Sequence, residues 1–432
     1  MMSPLQTLIR DHHEGRAIGM PSVCCSNPQV LLAAMETALA HNAPLLVEAT
    51  SNQVDQFGGY TGMRPADFVA YVHDLANKTG FPLERLVLGG DHLGPNTWQN
   101  LPPDQARENA RVLIADYVSA GFHKIHLDCS MSCAGDPKPL PDAVVAARSA
   151  DLALVAERAA LRAGFPPPVY IVGTEVPVPG GEASLGGGVQ VTSPQAAEAT
   201  LEAHREAFMA LGLNSAWERV IALVVQPGVD FDHSSVQQYA PQAASTLSSF
   251  ITGYPGLVFE AHSTDYQTER ALHCLVRDHF AILKVGPAAT FALREACFAL
   301  AAIEDELLPM ERRSGLVEVL DQCMQIAPHH WKKHYAGAPA ELRVLRRYAL
   351  SDRSRYYWGD APVQQALETL YANLEETGIP LSLLSQYLPE AVEAVQLGQL
   401  APRAADLARH KVRLVLAKYM RACHANQAEA LC

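Results

Sequence analysis

The sequence predicts an α/β fold: a TIM (β/α)8 barrel followed by a C-terminal helical extension. Two observations predict it. Over roughly the first 300 residues one pattern recurs eight times. A short, β-branched apolar run ends in small or polar residues, and a longer segment with 3.6-residue periodicity follows it. The runs are apolar almost throughout rather than alternating, which is how strands buried on both faces of a parallel sheet read. Eight such units close most naturally into a barrel. A doubly wound open sheet is the alternative, but no G-x-G-x-x-G follows the first run.

Strands are expected at Ala17–Val23, Pro44–Thr50, Arg85–Gly90, Lys124–Cys129, Val169–Thr174, Arg219–Val225, Gly256–Ala261 and Phe280–Val285. Helices are expected near Pro28–Leu39, Pro65–Thr79, Pro102–Ala120, Pro141–Ala163, Pro194–Leu211, Ser234–Phe250, Tyr266–His279 and Thr290–Glu306. Proline opens five of these helices, where its missing N–H leaves no hydrogen bond unmade. After Leu307 the strand signal stops. The rest reads as helices at Gly315–Ile326, Ala340–Leu350, Pro362–Glu375, around Leu381–Leu384, and Ala401–Ala422. Pro309 and the Arg312-Arg313-Ser314 stretch mark a boundary, giving a barrel over 1–308 and an extension over 309–432. Such a tail covers one end of a barrel or builds an oligomer contact, so a homo-oligomer stays open.

The length, 432 residues, suits one large barrel plus an extension, and 49% apolar with 18% charged residues is an ordinary globular balance. A net charge of -13 without a long basic cluster argues against nucleic acid or an anionic membrane as partner. No apolar run reaches the roughly 18 residues of a membrane span. The opening MMSPLQTLIRDHHEG lacks the basic-then-apolar pattern of a signal peptide. Nine cysteines without a C-x-x-C pair read as reduced thiols. Together these point to the cytoplasm.

Barrel chemistry sits at the C-terminal strand ends, and the residues expected there are unusual for a core. Strand 2 ends in EATSNQ, with Glu48, Asn52 and Gln53; strand 3 in GGDHLGPN, with Asp91, His92 and Asn96. Strand 4 reads KIHLDCS, with His126 and Asp128; strand 5 ends in GTEVPVPGGE, with Glu175. Strand 6 ends in VVQPGVDFDH, with Gln226; strand 7 in FEAHSTD, with Glu260, His262 and Asp265; strand 8 in KVGPAAT, with Lys284. Burying such groups unpaired costs several kcal/mol each, so a purely structural barrel would not collect them on one rim. Taken singly, each has a plainer explanation. Asp91-His92 and Glu175 fit loop caps. His126 and Asp128, two apart on one strand and therefore on one face, fit a structural pair, as do Glu260 and His262. Lys284 fits a neutralising cation. Asp74, His73 and His279 fall on expected helices and read as solvated. As a constellation, His92, His262 and a third oxygen or amide ligand suit Zn²⁺ or Mn²⁺ in an open geometry. Such an ion polarises a carbonyl or binds an enediolate, with Asp91 placed as acid/base. The glycine-rich P-V-P-G-G and Gly186–Gly188 stretches fit a cover, a phosphate nest or a long surface loop.

The motifs EATSNQVDQFGGYTGM, GGDHLGPN, KIHLDCSMSCAGDP, GTEVPVPGGEAS, VVQPGVDFDHS, FEAHSTDYQT and HFAILKVGPA resemble those of the GatZ/KbaZ family, accessory subunits of class II tagatose-1,6-bisphosphate aldolase. The resemblance runs through the tail motifs LSDRSRYYW and PLSLLSQYLP. That family is in turn similar to the catalytic class II aldolase subunits, which are zinc-dependent barrels. The resemblance implies Asp91 as proton-transfer group and His92 and His262 as zinc ligands. Gln226 falls where the aldolases have their middle zinc histidine, and Gly286 where they have a substrate-binding asparagine. Those two departures weaken the expectation of ordinary aldolase activity. Two functions are implied. One is a subunit that supports a catalytic class II aldolase partner in tagatose- and galactitol-type catabolism. The other is a metal-dependent ketose 4-epimerase acting on tagatose, fructose or their phosphates, by retro-aldol or proton-transfer chemistry. On either, Asp91 and Glu175 are the catalytic candidates. His92, Gln226, Glu260 and His262 surround a divalent ion, Zn²⁺ or Mn²⁺. Glu48, Asn52, Asn96, His126, Asp128, Asp265 and Lys284 face a ketose or ketose phosphate.

Overall fold

Eight parallel strands close into a barrel in which each pairs with its sequence neighbours and the last with the first. The computed structural model describes residues 4–173 and 188–424. The strands are β1 (Met20–Val23), β2 (Leu45–Thr50), β3 (Leu86–Leu93), β4 (Lys124–Leu127), β5 (Val169–Gly173), β6 (Val220–Val225), β7 (Val258–Ala261) and β8 (Phe280–Val285). They are buried almost throughout, as their unbroken Val, Ile and Leu runs require.

Several expected boundaries move by a few residues, and two of the shifts have identifiable reasons. β3 runs past Gly90 to Leu93, because its pairing with β4 slips by one residue between Gly90 and Leu93. The extra residue makes a bulge, and His92 adopts a left-handed φ of 49° within it. The helix expected from Ser234 begins only at Pro241 and ends at Ile251. A small hairpin, Asp230–Phe231 with Val236–Gln237, precedes it. Asp232 Oδ1 accepts from the Ser234 and Ser235 amides at 2.7 and 2.6 Å, holding these residues in a turn instead of a helix.

Inward-facing residues form three tiers. The lowest is apolar, with Met20, Leu46, Val87, Val258 and Ile282. A helix over Pro4–His13, which the sequence analysis does not anticipate, closes this end by packing Leu5, Leu8 and Ile9 against it. His12 on that helix contacts Ile18 O through Nδ1 at 2.9 Å and His279 Nδ1 through Nε2 at 2.8 Å. His279 is therefore part of the barrel floor rather than a solvated helix residue. The middle tier is charged and the upper tier holds the histidines; both belong to the site below.

From Leu316 the chain is helical, and its last described helix, Ala404–His424, packs against helices Pro28–Ala40, Glu269–Arg277 and Pro287–Leu307. The Tyr419 hydroxyl donates to Thr264 O at 2.7 Å and Gly19 N donates to Cys423 O at 2.8 Å, tying this helix to the loop after β7 and the start of β1. Seven described cysteines are free thiols. Among the described residues no helix is long and apolar enough to cross a membrane.

Candidate metal and ketose site

The middle tier is a buried lattice of alternating charge. Lys124 Nζ lies 2.7 Å from Glu48 Oε1 and 2.7 Å from Glu260 Oε2, at angles too oblique for hydrogen bonds. Lys284 Nζ lies 2.6 Å from Glu48 Oε2, 2.7 Å from Asp91 Oδ1 and 3.2 Å from Glu260 Oε1. The Ser22 hydroxyl donates to Glu48 Oε1 at 2.7 Å. Gly89 makes room for this lattice, since a Cβ there would fall 2.8 Å from Glu48 Cγ. Glu48, Lys124 and Glu260 are wholly buried, so each charge depends on its partners.

Above it, Asp91, His92, His126 and His262 each present one ligand-type atom, and these atoms all lie within 4.8 Å of one another. The three imidazole rings stand 4.8 to 5.3 Å apart, centre to centre. The β3 bulge brings successive residues Asp91 and His92 to one mouth, which strict alternation would forbid. Gly94 is needed just beyond it, because any Cβ would lie 1.7 Å from Asp128 O.

Each histidine gives one ring nitrogen to a carboxylate. His92 Nδ1 lies 2.7 Å from Asp128 Oδ2, His126 Nδ1 3.0 Å from Asp91 Oδ1, and His262 Nε2 3.1 Å from Glu260 Oε1. His126 Nδ1 also takes the backbone N–H of His92 at 3.2 Å. With His92 Nδ1 and His262 Nε2 donating, His92 Nε2 and His262 Nδ1 turn toward a ligand, the arrangement that orients metal-binding imidazoles. Asp128 is itself fixed by the Ser130 hydroxyl at 2.7 Å and by Asn96 Nδ2 at 2.7 Å. Asn96 Oδ1 is buried without a partner. His92 is the one partly exposed member of the four, so the cluster opens to solvent on its side.

The electrostatics follow from this crowding. Burial would raise Asp91, but His92, Lys284 and the His126 hydrogen bond together hold it well below the usual carboxylate range. Burial would lower His92, but Asp91 and Asp128 lift it to about 9. His262 is pushed down to about 4 by burial, with the Glu260 hydrogen bond opposing. Lys284 is held well above its ordinary value by Asp91 and its other anionic neighbours, against its burial.

The structure thus brings together Asp91, His92, His126 and His262, with Asp128 and Asn96 beside them and Glu48, Glu260 and Lys284 beneath. It does not bring in the others. Gln226 Oε1 accepts from Gly228 N at 2.8 Å and Val229 N at 3.0 Å, so the amide oxygen holds its own loop. Asn52 is exposed and accepts the Thr50 hydroxyl at 2.5 Å. Asp265 Oδ1 accepts from Gly286 N at 3.0 Å and Ala288 N at 2.7 Å, capping the helix after β8, and burial raises its carboxyl to about 6. Glu175 lies outside the described residues. Sequence reasoning missed Lys124 and Ser22. Lys124 shares the inward parity of His126 on β4, whereas no singled-out residue of β1 points to Ser22.

Residues 5–424 match the family model described as D-tagatose-1,6-bisphosphate aldolase subunit GatZ/KbaZ-like. The chain is similar to a probable tagatose 6 phosphate kinase from Sinorhizobium meliloti 1021, with 47% identity over 94% of this chain and 100% of that one and a TM-score of 0.87. More distant likenesses, at 12% identity, are to the YdjI aldolase from Escherichia coli K12 and the fructose-bisphosphate aldolase from Campylobacter jejuni. The first covers 88% of this chain and 98% of that one at a TM-score of 0.42; the second covers 87% and 93% at 0.45.

Proposed function

Because this chain belongs to the GatZ/KbaZ-like family of D-tagatose-1,6-bisphosphate aldolase subunits, we propose that it supports a catalytic class II aldolase partner and binds a ketose or ketose phosphate through a divalent ion of its own. The observation that carries the site is the convergence of His92, His126 and His262 with Asp91, each ring held by a carboxylate and all four ligand-type atoms within 4.8 Å of one another. The donor set fits Zn²⁺, with Mn²⁺ as the alternative. His92, His126 and His262 would hold the ion, with Asp91 at its edge. Such an ion would serve as a Lewis acid toward the ketose oxygens. Asn96 Oδ1 accepts a sugar hydroxyl. Co-expression with a catalytic class II aldolase subunit, followed by sizing, tests the partnership: a monodisperse complex with raised aldolase activity is expected, and two independent peaks would refute it.

A second reading, ketose 4-epimerase, is favoured by one observation: Asp91 stands against Lys284 and His126 as a buried, ionised base at the cluster. In that reaction Asp91 takes the proton of the C4 hydroxyl as the C3–C4 bond breaks. The electron pair stays on the three-carbon ketone fragment. The aldehyde turns over, the bond re-forms on its other face, and Asp91 returns the proton. Purified protein supplied with Zn²⁺ or Mn²⁺ should then convert tagatose or tagatose 6-phosphate to the C4 epimer. Asp91→Asn should reduce that rate at least a hundredfold with an unchanged circular dichroism spectrum. Absence of any epimer eliminates this second reading and leaves the first.

A further inference from the structure

The tail motif around residues 350–358 crosses the same barrel mouth. Leu350 N donates to His233 O at 2.9 Å, and the Thr290 hydroxyl donates to Asp352 Oδ2 at 2.6 Å, anchoring it to the loop after β6 and the helix after β8. Asp352 is fully engaged, by Thr290, by the Ser354 hydroxyl at 2.7 Å and by Arg294 Nε at 3.4 Å. The two arginines that follow it make no direct ion pair among the described residues. Arg353 is only 5% exposed, donates from one terminal nitrogen to His330 O at 3.1 Å, and its Nε has no partner. Arg355 donates to Ser351 O, to Asp352 O at 3.0 Å and to the Tyr356 hydroxyl at 3.0 Å. Among the described residues neither guanidinium pairs with a carboxylate. The Asp352 and Asp265 carboxylates lie within electrostatic reach of Arg355 but neither contacts it, and two adjacent, largely buried guanidinium groups without a contacting carboxylate favour an anion between them.

Three further observations locate that anion. Tyr356, whose hydroxyl Arg355 touches, packs edge-on against Tyr60 of the loop after β2 at 4.9 Å, and Cys24 Sγ, at the end of β1, lies 3.7 Å from Asp91 Oδ2. The arginines and the histidine cluster therefore share a mouth. The amides at the start of the helix after β8, a common phosphate cradle in barrels, are already taken by Asp265. Finally, Tyr356 stacks on His330 at 4.6 Å, and Arg355 and Arg353 pull its hydroxyl below the ordinary value although burial pushes the other way.

We propose that Arg353 and Arg355, carried on the C-terminal extension, form an oxyanion subsite for the charged end of the sugar whose ketose end meets the histidine cluster. This rests on the ketose-site reading above and assigns two residues of the C-terminal extension to the sugar's charged end. Two forked guanidinium groups match the doubly charged oxygens of a phosphate monoester better than a single carboxylate does.

Calorimetric titration of the full chain with inorganic phosphate, tagatose, tagatose 6-phosphate and a hexuronate tests it. Tagatose 6-phosphate should bind at least tenfold tighter than tagatose, and inorganic phosphate should compete with it. Arg355→Gln should abolish that advantage while leaving tagatose affinity and metal content as in the wild type. Arg355→Lys, which retains the charge but not the fork, should lose several-fold and guards against a folding defect in the glutamine variant. A hexuronate binding more tightly than the sugar phosphate would assign the subsite to a carboxylate. Equal affinity for charged and neutral sugars, or an Arg355→Gln variant that still prefers the phosphate, would overturn the proposal. Phosphate binding that depends on Arg355 in protein holding no metal would retain the subsite and sink the metal reading alone.

Discussion

Asp128 decides which nitrogen His92 presents to the cluster. Its carboxylate, fixed by Ser130 and Asn96, keeps a proton on His92 Nδ1 and turns Nε2 toward the cluster, where an arriving ion displaces the second proton of a ring held up to about 9. Asp128→Asn should weaken metal affinity roughly 10- to 100-fold with the fold intact, as measured by competition against a chromophoric chelator. Lys124 has a different role, since it touches no cluster histidine and instead balances Glu48 and Glu260. Lys124→Met should cost about 3–5 kcal/mol, because it strands buried carboxylates; urea unfolding would read it. Parity along a strand made much of this legible in advance. His126 with Asp128, and Glu260 with His262, are two apart and share a face. Parity could not reveal the partner of each ring nitrogen, because that depends on contacts across strands. It also could not foresee that Gln226 would turn its oxygen onto the amides of Gly228 and Val229.

At the scale of elements, the β3 bulge and the floor helix matter most. A bulge is a pairing irregularity, invisible to hydrophobic periodicity, yet it aims Asp91 and His92 together. The floor helix Pro4–His13 escaped notice because ten residues carry little periodic signal. Its apolar face replaces solvent at the bottom of the barrel, so Leu8→Ala should cost about 2–5 kcal/mol and lower the thermal midpoint. The same helix confers a pH dependence. His12 is only 4% exposed, and burial first, with the charges of His279 and His13 adding, lowers it to about 4. The folded protein thus keeps His12 neutral while the unfolded chain protonates near pH 6.5. Stability from this residue is complete above pH 6.5 and declines as pH falls from 6.5 toward 4. Urea midpoints compared at pH 7 and pH 5 should fall with acidification, and His12→Gln should flatten that slope.

For the whole molecule, eight repeated units specified the closed barrel, because unbroken apolar strands and intervening helices admit few other arrangements. The strand-end positions then specified where polar residues would gather. The tail was legible as helices but not as a wall of the site, since nothing local in Arg353-Ser354-Arg355 says which end of the barrel it meets. Seen whole, the interior is charged in a way that calls for a cation. Glu48, Glu260 and Asp91 meet Lys124 and Lys284, while Asp128 meets His92. Four carboxylates against two ammonium groups and one imidazolium leave one negative charge uncompensated beside the three imidazoles. The most direct measurement is metal analysis of the purified protein with X-ray absorption at the metal edge, on wild type and His126→Ala. The account predicts about one divalent ion per chain in an imidazole-rich shell, with most of it lost in the variant. Wild-type protein that retains no ion after loading, or a variant that binds it equally well, would contradict it.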